Sequence, residues 1–126
     1  MTNRKKTGTG GELLAVEFLK SRGYQILATN FRPPMKLWRG EIDIVASDGP
    51  VICFVEVKTR RRSNADPTES VTKAKRRQLI ALAEAYLAVT NTPKDAECRF
   101  DVVAVTIGGD EAYQTVKLYQ NAFWPE

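Results

Sequence analysis

The runs Glu41–Ala46 and Val51–Thr59 are rich in valine and isoleucine, yet they carry Glu41, Asp43, Glu56 and Lys58 at strand spacing. Strands this apolar are expected to be buried, and a buried charge costs several kcal/mol unless it is paired or holds a metal. Carboxylates in such strands therefore point to a site. The chain has no histidine, which excludes Ser-His-Asp and Cys-His nucleophiles, His-ligated zinc and imidazole general bases. Carboxylate, lysine and tyrosine chemistry remains, and carboxylate ligands select hard cations, Mg2+ or Mn2+. The chemistry that fits is metal-dependent phosphodiester hydrolysis.

The hairpin joining the two runs sets the geometry. Ser47-Asp48-Gly49-Pro50 is a turn signal, and a turn centred on Asp48-Gly49 pairs Glu41 with Glu56 and Asp43 with Phe54. Asp43, Glu56 and Lys58 then share one face, with Asp43 diagonal to Glu56. Glu41 falls on the same face, as a candidate to support the ligands. An even-length loop keeps this parity, whereas a bulge would break it.

Other elements must hold that hairpin. A helix is expected from Thr9, where Thr9-Gly10-Gly11-Glu12 has capping-box spacing, with Leu13, Leu14, Phe18 and Leu19 as its apolar stripe and Gly23 as its end. Glu12 would close that box. Residues 1–8, with Arg4, Lys5 and Lys6, are expected to form a flexible basic tail, leaving 9–126 as a single domain. Tyr24–Phe31 reads as a strand and 32–40 as a loop in which Trp38 packs over the sheet or stacks on a base. Asp66 caps a helical start at Pro67. A longer helix follows Thr72, turning Leu79, Leu82, Ala83, Tyr86 and Leu87 to the sheet. Arg99–Ile107 is a strand reached from Val51–Thr59 through that helix, so the two should pair in parallel. Asp101 is expected to pair with Arg99 or a neighbouring basic side chain. A turn at Gly108-Gly109-Asp110 leads into an edge strand, Thr115–Tyr119, and a Phe123-Trp124 tail.

With 126 residues, 43% of them hydrophobic, the chain can bury one core. It has no membrane-length apolar run and no signal-peptide pattern, so a cytoplasmic protein without a membrane partner is expected. Cys53 and Cys98 lack metal-type spacing and read as reduced thiols. Between Lys58 and Arg77 there are eight basic residues against two acids. A solvated surface can look like this, but a basic block directly after the acidic strand suits a phosphate backbone.

Several of these residues together resemble a known family. They are Gly8, Gly11 and Glu12; Gly40-Glu41-Ile42-Asp43; Phe54-Val55-Glu56-Val57-Lys58-Thr59-Arg60; Val71-Thr72 with Lys75; Arg99-Phe100-Asp101-Val102-Val103; and Asn121-Ala122-Phe123. They resemble the YraN-like family of small bacterial proteins, which is similar to Holliday-junction resolvases within the PD-(D/E)xK, or restriction-endonuclease-like, superfamily. The resemblance implies an α/β fold with an αβββαβ core, a mixed sheet flanked by helices and an added C-terminal edge strand. It implies a Mg2+ or Mn2+ site held by Asp43, Glu56, the Val57 backbone carbonyl and Glu12, with Lys58 positioning or activating the attacking water. Ile42 stands where the superfamily label has proline. The activity implied is endonucleolytic cleavage of DNA, in preference to RNA, at branched or otherwise structured sites, by a protein that forms a homodimer. Arg60, Arg61, Arg62, Lys73, Lys75, Arg76 and Arg77 would hold the backbone. Two alternatives stay open on the residues alone: a non-catalytic nucleic-acid-binding or adaptor domain, and a protein-interaction module.

Overall fold

The computed structural model describes residues 3–34, 39–61, 67–93, 95–107 and 114–123. In chain order the elements are α1 (Asn3–Ser21), β1 (Gln25–Phe31), β2 (Ile42–Asp48), β3 (Val51–Arg61), a 3-10 turn (Pro67–Ser70), α2 (Lys73–Val89), β4 (Cys98–Ile107) and β5 (Gln114–Phe123). The strands form one sheet in the order β1-β2-β3-β4-β5. The β3–β4 pair is parallel, as the crossover through α2 requires, and the other three pairs are antiparallel.

Each helix covers one face. Ala15 and Leu19 of α1 pack on Ile44, Cys53, Val55, Val103 and Val105. Leu79, Leu82, Ala83 and Tyr86 of α2, at three- and four-residue spacing, pack on Val45, Phe54, Phe100 and Val102. Coverage of both faces explains why β3 and β4 are nearly continuous apolar runs. Thr72 caps α2, its hydroxyl accepting from the Lys75 N–H at 3.2 Å. Cys53 and Cys98 are free thiols. Among the described residues no helix is long and apolar enough to cross a membrane.

Three expectations are corrected. Helix α1 begins at Asn3 and takes in the stretch read as a basic tail. Thr9 and Glu12 therefore lie inside the helix and form no capping box. The glycines there answer packing instead: a Cβ on Gly11 would collide with the Thr59 side chain of β3, so this glycine lets the helix lie close on the strand. Leu13 points outward, 60% exposed. Second, the hairpin turn is Gly49-Pro50, because Asp48 pairs with Val51 and Ile44 with Val55. Pro50 has no N–H for the ladder position that a turn at Asp48-Gly49 would assign it. Third, β5 runs on to Phe123, which is 5% exposed and stacked on Phe100, so Phe123 is core and not tail. Trp38 and the Asp66 cap lie outside the described residues.

Candidate metal centre

The β2–β3 pairing stops at Ile44–Val55, although both strands continue past it. The Asp43 carboxylate takes the next outward N–H, that of Val57, at 2.8 Å. In this register Asp43 stands level with Glu56, close enough for each to feel the other's charge. They do not simply share a face. Ile42 and Val45 both belong to the core under α2, whereas Ile44 and Ala46 belong to the core under α1, so side-chain alternation slips once around Asp43. The slip opens Asp43 toward α1. It lines a hollow of about 230 Å³ with Glu12, Val57 and Thr59.

There the carboxylates of Glu12, Glu41 and Asp43 offer oxygens within 4.8 Å of one another. Glu41, expected to support the ligands from beside Glu56, is thus a member of the cluster. It lies just before β2, on backbone that α2 steadies. Gln78 Nε2 donates to the Arg39 carbonyl at 3.0 Å, and Gly40, at φ 79°, brings its Cα so close that a Cβ would sit 2.7 Å from the Gln78 amide.

Glu56 lies on the α2 side. It is buried and paired with Lys58 at 3.5 Å and Lys75 at 3.7 Å, both through Oε2. Burial first, and then the Glu56 charge beside it, push the Asp43 pKa from 3.8 up to about 8. Both effects favour the protonated form of Asp43. Arg32 Nε reaches Glu41 Oε2 at 3.3 Å from an exposed position.

Two residues here went unnoticed in the sequence. Gln78 carries no signal there. Asn30 does, as an asparagine inside a β-type run, because asparagine tolerates left-handed backbone. Its amide nitrogen donates to Glu12 at 2.8 and 2.9 Å and to Glu41 at 3.3 Å.

The basic set is divided. Lys73 and Arg77 are exposed at the start of α2, and Arg61 is exposed at the end of β3. Lys75 belongs to Glu56. Arg76 is occupied in the fold, donating to the Val71 carbonyl at 3.0 Å and lying over the Phe123 ring. Arg60 is half-buried. Arg62 lies outside the described residues.

An open mixed sheet with a helix on each face, and acids gathered where its second and third strands cease to pair, defines an α/β protein with a restriction-endonuclease-like core. The sequence model of the family described as "Uncharacterised protein family UPF0102" matches residues 11–105. A UPF0102 protein of Symbiobacterium thermophilum is 48% identical over 94% of this chain and 97% of its own length. One from Dehalococcoides mccartyi is 43% identical over 98% of both chains, and one from Chlorobium limicola is 41% identical over 94% of this chain and 92% of its own. The chain belongs to the UPF0102 family, the YraN-like family its residues resemble.

Proposed function

We propose that the protein is a metal-dependent endonuclease that hydrolyses phosphodiester bonds in branched or otherwise structured DNA in the cytoplasm. The observation that carries this reading is the meeting of Glu12, Glu41 and Asp43 within 4.8 Å, beside the Glu56–Lys58 pair and where the β2–β3 ladder ends. The donors are all carboxylate oxygens, which suits Mg2+ or Mn2+.

Asp43, Glu12 and Glu41 would hold the ion, with Glu56 and the Val57 carbonyl adjoining. A bound divalent ion would neutralise charge on the scissile phosphate and acidify a water molecule. Asp43 would release its carboxyl proton as it becomes a ligand. Lys58, with three donor hydrogens and no acceptor, would orient the attacking water and bond to a non-bridging phosphate oxygen, where charge develops. Lys75 shares Oε2 of Glu56 with Lys58, so it would keep Glu56 paired when Lys58 turns to the substrate. Two incisions at one junction need two centres, and a homodimer is the assembly this reading expects.

The test is incubation of labelled linear, single-stranded, flapped and four-way-junction DNA with and without Mn2+ or Mg2+. Cleavage of at least one substrate only when the ion is present is expected. Tight binding with no product at any concentration of either ion would replace the reading with a non-catalytic binding domain. No binding at low salt would point to a protein partner.

The division of the basic set gives a second expected result. Each lysine or arginine on a phosphate contributes about 0.9 to the slope of log affinity against log salt. Lys73→Gln and Arg77→Gln should each flatten that slope by about one, whereas Lys75→Gln should leave it unchanged. DNA-binding titrations over a salt series measure this, and a Lys75→Gln slope matching that of Lys73→Gln would return Lys75 to the backbone contacts.

A further inference from the structure

Strand β1 contains a backbone irregularity that faces the carboxylate cluster. Ala28 and Phe31 both pack against the core under α2, although they are three residues apart. Between them Asn30 adopts φ 51°, in the left-handed region. Asparagine tolerates this region better than most side-chain-bearing residues, so the residue type suits the bend. β1 pairs Thr29 with Ile44 and Phe31 with Ile42, which leaves Asn30 level with Asp43. The slip in β1 thus lies beside the slip in β2 that opens Asp43 toward α1.

The side chain gives the irregularity a purpose. Asn30 Nδ2 lies 2.8 and 2.9 Å from the two oxygens of Glu12 and 3.3 Å from Glu41 Oε1. One amide therefore ties a carboxylate on α1 to a carboxylate at the start of β2. Its chemistry matters as much as its reach. A lysine or arginine in that place would cancel the charge that attracts a cation, whereas an amide donates hydrogen bonds and leaves the negative charge intact.

We propose that Asn30 is a positioning residue of the metal centre. It holds Glu12 against Glu41 so that the carboxylates keep one arrangement before the ion binds. This inference rests on the metal-binding reading above. Hydrogen-bonded partners of ligating carboxylates commonly contribute about 10- to 100-fold to metal affinity.

The test is Mn2+ affinity of the full chain, read by electron paramagnetic resonance of the free ion, for wild type, Asn30→Gly, Glu12→Gln and the double variant. Glycine keeps the left-handed backbone available and removes only the amide; cooperative thermal unfolding of each variant confirms that it is folded. Asn30→Gly should weaken Mn2+ binding about 10-fold or more. In the Glu12→Gln background the same change should weaken it less than about 3-fold, because the carboxylate it positions is gone. A purely structural role would give equal losses in both backgrounds, and that result overturns the proposal. Unchanged affinity in Asn30→Gly overturns it too and leaves the metal centre standing. No Mn2+ binding by wild type overturns the metal reading itself.

Discussion

Asp43→Asn should make the metal-free protein more stable at pH 8.5 while abolishing cleavage. Burial, and then the Glu56 charge, raise the Asp43 pKa from 3.8 to about 8 in the folded state. A group whose folded pKa lies above its unfolded value binds its proton more tightly in the folded state. That contribution is fully present below about pH 4 and is lost progressively until pH passes about 8. A tenfold difference in proton affinity between the two states corresponds to about 1.4 kcal/mol, so the upward shift makes stability fall as pH rises through the window. Asparagine resembles the protonated carboxyl at every pH. Thermal unfolding of metal-free wild type from pH 5 to 9 should show a falling midpoint, and Asp43→Asn a much flatter one. Mn2+ should restore wild type at high pH and do little for the variant. Cleavage by the variant should fall at least about 1000-fold, an effect on the scale of lost transition-state charge stabilisation, with DNA binding retained. Lys58→Ala should lose cleavage similarly. A wild-type midpoint that follows Asp43→Asn across this range would remove the proton from Asp43. Equal loss of binding and cleavage would remove its role as a ligand.

The same stretch marks how far the sequence could be read. Element order, the parallel β3–β4 pair and the apolar face of α2 follow from periodicity and from the length of the crossover, and the structure bears them out. The hairpin was visible, but its register depended on which two of four turn residues make the bend. Pro50 settles that only when its missing N–H is set against each ladder position. The helix start misled because Gly10 and Gly11 look like a boundary. Gly11 is required by Thr59, a contact that sequence spacing cannot reveal. The acid set was visible by residue type; its arrangement was not. A slip in alternation, carried by Asn30 in β1 and answered around Asp43 in β2, turns Asp43 toward Glu12 and Glu41. Neither strand carries a glycine or proline there to announce it.

Asp101→Ala should destabilise the protein by about 3–5 kcal/mol, the usual cost of stripping one partner from a buried ion pair. Asp101 is fully buried in β4 and accepts from Arg99 Nε at 3.0 and 3.1 Å and from the Asn121 N–H at 3.0 Å. Asn121, at φ 52°, lies where the β4–β5 register shifts, so the carboxylate also holds that bulge. Arg99 reaches on to the Tyr24 hydroxyl at 2.7 Å and to Asp48 at 3.3 Å, and Gln120 donates to Tyr24 at 2.8 Å. Removing Asp101 would leave a guanidinium with 13% side-chain exposure whose remaining anionic partner among the described residues is the partly exposed Asp48. Loss of that size is a large part of a typical domain's stability. Denaturant unfolding measures it, and replacing Arg99 by methionine in the Asp101→Ala protein should recover part of it, because no buried charge is then stranded. A loss below about 1 kcal/mol would mean that solvent already satisfies Arg99. This network lies at the Asp48 end of β2, and the carboxylate cluster lies at the Ile42 end. Asp101 meets a buried cation and a backbone N–H, which is how a structural acid is satisfied. Asp43 meets one backbone N–H and another acid, and burial beside that acid favours its protonated form. That unmet demand for positive charge separates a candidate ligand from a buried aspartate that only holds the fold.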